Sequence, residues 1–367
     1  MAVTWPAKNN YATGDVLTAA NMNAIGDDLN DLYAGNQGGA TKAAGKNAVL
    51  NSDFSVWQRG TSIAVAASTV AYTADRLSVS TAANQATTVS RQATGDTTNL
   101  PNIQYCARIQ RNSGQTGTGT MYIGNSFETI NSIPFTGKTV TVSFYARKGA
   151  DYSATSNALS LYLWNGTGTD QNVNTGYTGA NVVGSVAATL TTTWQRFSFT
   201  GTVPTNSTEL ALQFQSVPTG TAGTNDYFEI TGVQLEQNAT ATPFARNAST
   251  YQGELAACQR YYQRLNAATT FSVFSTGIGA ASTTSAYPTI PLKVSMRIVP
   301  TSIDIGTLAF SDWVNAVINI TSATINSAST TENLILSGNV ASGLTQFRPY
   351  VLGSQSSSSY LGINAEL

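Results

Sequence analysis

The chain has 367 residues, enough at roughly 100–200 residues per domain for two or three domains with real cores. Charged residues make up only 10%, against roughly 25% in ordinary soluble domains, and the net charge is −1. Such a chain lacks the broad basic footprint that nucleic acid requires. It also has no histidine, which removes His-ligated zinc, Ser-His-Asp and Cys-His chemistry, and the usual neutral-pH general base.

Residues 1–46 read as a small head piece. Met22, Ile25, Leu29 and Leu32 are spaced 3, 4 and 3 apart, an a/d seam on a short coiled-coil-like helix. The seam is too short to stand alone. It packs either on its own domain or, as we expect, on copies of itself about a symmetry axis. The opening residues hold no apolar run of signal-peptide length, and no stretch approaches the ~20 apolar residues of a membrane span.

Residues 47–246 read as strand after strand. Runs at 70–80, 103–110, 120–128, 139–147, 158–164, 194–201, 209–216 and 227–236 alternate apolar with polar residues between Gly, Asn, Pro and Ser clusters. In the run at 139–147, Val140, Val142, Phe144 and Ala146 share one face, and Thr141, Ser143, Tyr145 and Arg147 the other. So many strands without intervening helices predict an antiparallel β-sandwich, most simply a jelly roll.

A helical connector is predicted over 247–266. Tyr251, Leu255, Cys258, Tyr262 and Leu265 continue a heptad spacing, and Ser249 with Gln252 forms a capping-box pattern. Residues 267–367 return to strands and read as a small C-terminal β domain.

The two cysteines, Cys106 and Cys258, lie far apart in sequence and read as buried, reduced fillers. Trp57 reads as core and Arg59 as a structural donor.

The passage at 11–32, YATGDVLTAANMNAIGDDLNDL, is similar to N-terminal segments of tailed-bacteriophage fibre and other virion appendage proteins. NAVLNSDFSVWQRGTS at 47–62, followed by YTADRLSV, resembles the start of a phage fibre domain related to the jelly-roll carbohydrate-binding modules. GVQLEQNATATPFA, YQGELAACQRYYQRL and the final INAEL resemble later pieces of such chains. The resemblance implies a virion location, with the N-terminus joined to other tail or head proteins and the helices near a threefold axis. It also implies attachment to host-surface polysaccharide by a non-enzymatic tail fibre or adhesin. A purely structural head-fibre, neck or baseplate protein and a polysaccharide depolymerase tailspike are the alternatives.

Neutral sugars are bound by aromatic stacking and amide hydrogen bonds, which suits this weakly charged composition. Tyr162, Trp164 and Trp194 in the sandwich, and Tyr287, Trp313 and Tyr350 with Phe347 in the C-terminal domain, are therefore candidate glycan contacts; core packing is the alternative for each. Asp75, Glu128, Asp226, Glu229 and Glu236 are the carboxylates to test for a glycosidase pair, but none forms a recognisable motif. We expect no cofactor and no catalytic site. A structural calcium at Asp53 or Asp226 lacks the D-x-D-x-D-G pattern that would support it.

The seams at 22–32 and 251–265 predict a homotrimer. Light scattering of the purified chain should give about three times 38.5 kDa, and a stable monomer at micromolar concentration would contradict it.

Overall fold

The computed structural model describes residues 46–100, 102–314 and 317–367. The seam at Met22, Ile25, Leu29 and Leu32 lies outside them.

Two six-stranded antiparallel sheets face each other across the first unit. In sheet order, the first contains β1 (Ser62–Val65), β4 (Thr87–Ala93), β5 (Tyr105–Arg111), β12 (Tyr227–Glu236), β7 (Thr139–Lys148) and β10 (Gln195–Thr202). The second contains β2 (Val70–Tyr72), β3 (Ser78–Ser80), β6 (Met121–Ser126), β11 (Glu209–Ser216), β8 (Ala158–Gly166) and β9 (Asn181–Thr189). This is the β-sandwich expected of a jelly roll. The period-two pattern decides which side chains meet between the sheets. Val140, Val142, Phe144 and Ala146 of β7 join Leu159, Leu161 and Leu163 of β8 and Phe214 of β11 in one buried cluster. Phe144 and Phe214 meet edge to face, with ring centroids 5.0 Å apart.

The run at 70–80 is a hairpin, not one strand. Between β2 and β3 the chain turns at Thr73–Leu77, with Arg76 in left-handed backbone at φ 67°. Asp75 and Arg76 are both buried there and need partners that a flat strand would not offer. Asp75 accepts hydrogen bonds from the Gln58 backbone N–H and Nε2. Within β12 the register to β7 shifts between Thr231 and Gln234. Gly232 sits in that bulge at φ 58°, where a Cβ would lie 2.8 Å from Ile103 Cδ1 and 2.9 Å from Tyr145 Cδ2.

The only other long element outside the sheets among the described residues of this unit is a helix shorter than predicted. A brief helical turn, α1 (Thr129–Ser132), precedes it, and α2 spans Tyr251–Gln259. Its N-cap is Thr250, whose side chain accepts from Gly253 N, and not Ser249. Tyr262 and Leu265 are not on a helix: they belong to strand β13 (Tyr262–Asn266). The predicted seam fails for a physical reason. A helix this short has little stability of its own, and its buried residues are Glu254, Cys258 and Gln259 rather than an apolar stripe. Tyr251 is exposed. The adjacent Tyr261 and Tyr262 gain more from burial beneath arginines and, for Tyr262, from strand pairing than from another helical turn.

β13 therefore opens the second unit instead of closing a connector. It pairs with β22 (Tyr360–Asn364), which pairs in turn with β17 (Ser302–Ile305). At the middle of β22 a Cβ on Gly362 would fall 2.1 Å from Asp304 Oδ1 and 2.2 Å from the Tyr262 hydroxyl. Glycine leaves room for the Tyr262 hydroxyl to donate to Asp304 across the strand. A larger sheet of seven strands completes the unit, built on β14 (Val273–Gly279), β21 (Pro349–Ser354), β18 (Leu308–Ser311), β19 (Val317–Ile325) and β20 (Asn333–Val340). The short β15 (Ser285–Ala286) and β16 (Thr289–Pro291) both pair with β20. Phe310, Leu334, Leu336, Leu352, Leu361 and Ile363 form its separate core.

The two units are clamped by the last residues of the chain. The Glu366 carboxylate is salt-bridged to Arg76 and lies 3.3 Å from Arg59 Nη1. Both guanidiniums stack on tyrosine rings, Arg76 on Tyr261 and Arg59 on Tyr262, each 3.6 Å from the ring centroid. Tyr72, its pKa pushed up to about 12 by burial and by Glu366, keeps its proton and donates to Leu367 O. Arg297 donates to the carbonyls of Ala365 and Glu366 and, from Nη1, to Asp170 of the sandwich. Removing one partner of a buried pair leaves the other charge uncompensated, at a cost of about 3–5 kcal/mol. Glu366→Ala should lower the unfolding free energy by that amount in urea titrations, whereas a loss below about 1 kcal/mol, the worth of an exposed pair, would contradict the clamp.

Candidate functional site

The alternation that buries Leu159, Leu161 and Leu163 turns Ser160, Tyr162 and Trp164 to the outer face of the second sheet. Tyr162 and Trp164 are neighbours there, with ring centroids 5.9 Å apart and planes tilted by 33°. Register then places Gln213 of β11 opposite Tyr162, and Gln215 opposite both Ser160 and, on the other side, Tyr122 of β6. Tyr122, Tyr162 and Trp164 are each half-buried, leaving part of each ring open to solvent.

The amides are fixed in a chain. Trp164 Nε1 donates to Gln213 Oε1 at 3.1 Å, and Gln215 Nε2 donates to the same oxygen at 2.8 Å. Gln213 Nε2 donates to Asn174 Oδ1 at 2.9 Å, and Asn174 Nδ2 donates to Ser78 Oγ. The amides of Gln213 and Asn174 each have O and N placed by a partner, and Gln215 is tied through its Nε2, so the indole and the glutamines do not swing freely. The loop at 167–180 shoulders this face. Val173 and Asn174 pack directly over Gly124, where a Cβ would meet Val173 Cγ1 at 2.7 Å, and the Tyr177 hydroxyl donates to Leu210 O. The result is an uncharged strip of aromatic rings and oriented amides on a rigid sheet. It is suited to a ligand with apolar faces and many hydroxyl groups.

The other sequence candidates lie elsewhere. Trp194 is 6% exposed and packs with Leu100, Ile103, Cys106 and Phe244 on the outer side of the first sheet. Its indole donates to Thr94 O at 3.0 Å, and Arg147 stacks on its ring, so it is a structural residue and not a glycan contact. Tyr350 is likewise buried, and its hydroxyl accepts from Thr345 N to hold a turn. Tyr287 and Trp313 are exposed, in the second unit and not beside Tyr162. Trp57 is buried with its indole donating to Phe54 O, and Arg59 is the interdomain ion-pair residue already described.

The carboxylates are all held within the fold. Asp226 pairs with Arg111 at 2.7 Å and accepts from Ser153 Oγ. Glu229 bridges Arg108 and Arg147, and Glu128 takes a two-pronged contact from Arg260. Glu236 accepts from Thr242, and Asp53 pairs with Arg246 and Ser55. No three His, Cys, Asp or Glu side chains come together among the described residues, and no described helix is long and apolar enough to cross a membrane. Tyr122, Gln213 and Gln215 were not singled out from sequence, although the alternation in MYIGNS and ELALQFQS carries the signal. Asn174 lies in a loop, where no periodicity points to it.

No protein-family model and no curated protein sequence matches the chain. Among solved structures it is similar to the carbohydrate-binding module CBM4 at 19% identity and a TM-score of 0.26, over 36% of this chain and 71% of that one. It is also similar to the enzymatically active domain of bacteriophage CBA120 tailspike protein 4, at 11% identity and a TM-score of 0.31, over 53% of this chain and 22% of that one. A family 16 carbohydrate-binding module matches at 10% identity and a TM-score of 0.25, over 40% of this chain and 84% of that one. The chain thus spans about a fifth of the tailspike domain's length. Likenesses this distant carry no argument about what this chain binds.

Both thiols are buried. Desolvation, with Glu229 adding to it, pushes the Cys106 thiol up, and burial does the same to Cys258. A maleimide reagent should label neither cysteine in the native protein at neutral pH and both after unfolding in guanidinium. Rapid native labelling of either one would contradict this placement.

Proposed function

We propose that the protein is a non-enzymatic glycan-binding protein whose outer sandwich face, centred on Tyr162 and Trp164, stacks against saccharide rings. The observation that carries this reading is the adjacency of two half-open rings to an amide chain with fixed donors and acceptors. Sugar rings present apolar C–H faces to the aromatics and hydroxyls to Gln215 and Asn174, while the buried Gln213 holds the amide chain in place from beneath. No ionised side chain takes part in that row of contacts, so the ligand class is neutral polysaccharide.

The biological setting we propose is a virion appendage, a trimeric tail fibre or adhesin attaching to host-surface polysaccharide. Its support is the resemblance of residues 11–32 and 47–62 to fibre proteins. Weak single-site affinity would be multiplied by several copies, since multivalency raises avidity by roughly 10²–10⁴.

Trp164→Ala and Tyr162→Ala should each weaken retention on a bound neutral polysaccharide by about tenfold or more without moving the urea midpoint by much, because both side chains lie outside the core. Release of new reducing ends from the polysaccharide would contradict the non-enzymatic reading, and full binding by a folded double variant would contradict the site.

A further inference from the structure

At one end of the second unit, two loops from neighbouring strands carry exposed aromatic residues in left-handed backbone. Trp313 follows β18 with φ 63° and is 65% exposed; Phe347 precedes β21 with φ 65° and is 81% exposed. A bulky residue at positive φ is a steric outlier that costs on the order of 1–3 kcal/mol, and such residues gather where a ligand is clamped. Here the backbone accepts that cost at two places and gains no core packing, because both rings point to solvent.

What holds the loops is an ion pair between the residues next to the two aromatics. Arg348 Nη2 lies 2.7 Å from Asp312 Oδ2, whose side chain is 3% exposed, while the arginine side chain remains 37% exposed. Asp312 Oδ1 also accepts from Val314 N, and Phe347 N donates to Ala280 O. Tyr350 anchors the second loop from beneath through Thr345 N.

We propose that this end of the second unit is a further saccharide-binding site, distinct from the sandwich face, in which Trp313 and Phe347 stack on sugar rings and Arg348 donates to their hydroxyls. A lipid surface is the competing partner for exposed aromatics. The half-open guanidinium beside Phe347 disfavours it, since a charge carried into hydrocarbon is costly, whereas the same N–H groups suit a hydroxylated ligand.

The test uses the full chain on an array of bacterial surface polysaccharides, with phosphatidylcholine vesicles as a second probe. Trp313→Ala and Phe347→Ala, on separate loops, should each weaken retention of one subset of polysaccharides about tenfold or more, at an unchanged urea midpoint. Tyr162→Ala should leave that subset unaffected. Wild-type binding of every polysaccharide by both loop variants overturns the proposal, and so does vesicle binding that Trp313→Ala abolishes. If only Tyr162→Ala loses binding, the sandwich site stands and this one falls; if the wild type binds nothing on the array, both fall.

Discussion

The structure depends on a set of buried carboxylate–arginine pairs. In a chain that is only 10% charged, Glu366, Glu229, Asp226, Glu128 and Asp53 are each tied to one or more arginines, and all five are buried. A buried ion pair adds little net stability over a well-packed apolar group, but a buried charge with the wrong neighbour is severely penalised. Each pair therefore acts as a specification. Glu366 can be accommodated only where Arg76 and Arg59 await it, which fixes how the second unit seats on the sandwich. Glu229 does the same for three strands of the first sheet, joining β12 to β5 and β7.

Spending ionised groups on the interior leaves the outer sandwich face neutral. The outer face of the second sheet shows aromatics, amides and serines, and the stacking arginines sit elsewhere on tyrosines that hold the fold together. The two candidate sugar surfaces share a plan, in which rings partly or largely open to solvent stand on a scaffold that is itself rigidly bonded. They differ in how the rings are held: by regular sheet pleating at Tyr162 and Trp164, and by strained loops and an ion pair at Trp313 and Phe347.

Much of the sandwich was legible because antiparallel strands write their burial at period two. The alternation of β7 and of β8 predicts which residues enter the core, and it also places Tyr162 and Trp164 on a common outer face. Three features were not legible. The heptad spacing through Tyr262 and Leu265 is real in sequence, but strand pairing to β22, nearly a hundred residues away in the chain, overrides it. The hairpin within 70–80 depends on partners for Asp75 and Arg76 that come from Gln58 and Glu366, also distant in sequence. Trp194 and Tyr350 look like exposed aromatics until the segments that cover them are known, and exposure is a tertiary property that a strand pattern does not encode.

If the outer sandwich face is the proposed binding site, Tyr162 and Trp164, with Tyr122 beside them, are covered when a polysaccharide binds. Hydroxyl-radical footprinting by mass spectrometry, with and without a saturating bound polysaccharide, reads it directly. These three residues should lose reactivity on binding, while the buried Trp57 and Trp194 stay unreactive in both states. Unchanged reactivity at all three, with the polysaccharide demonstrably bound, would contradict it.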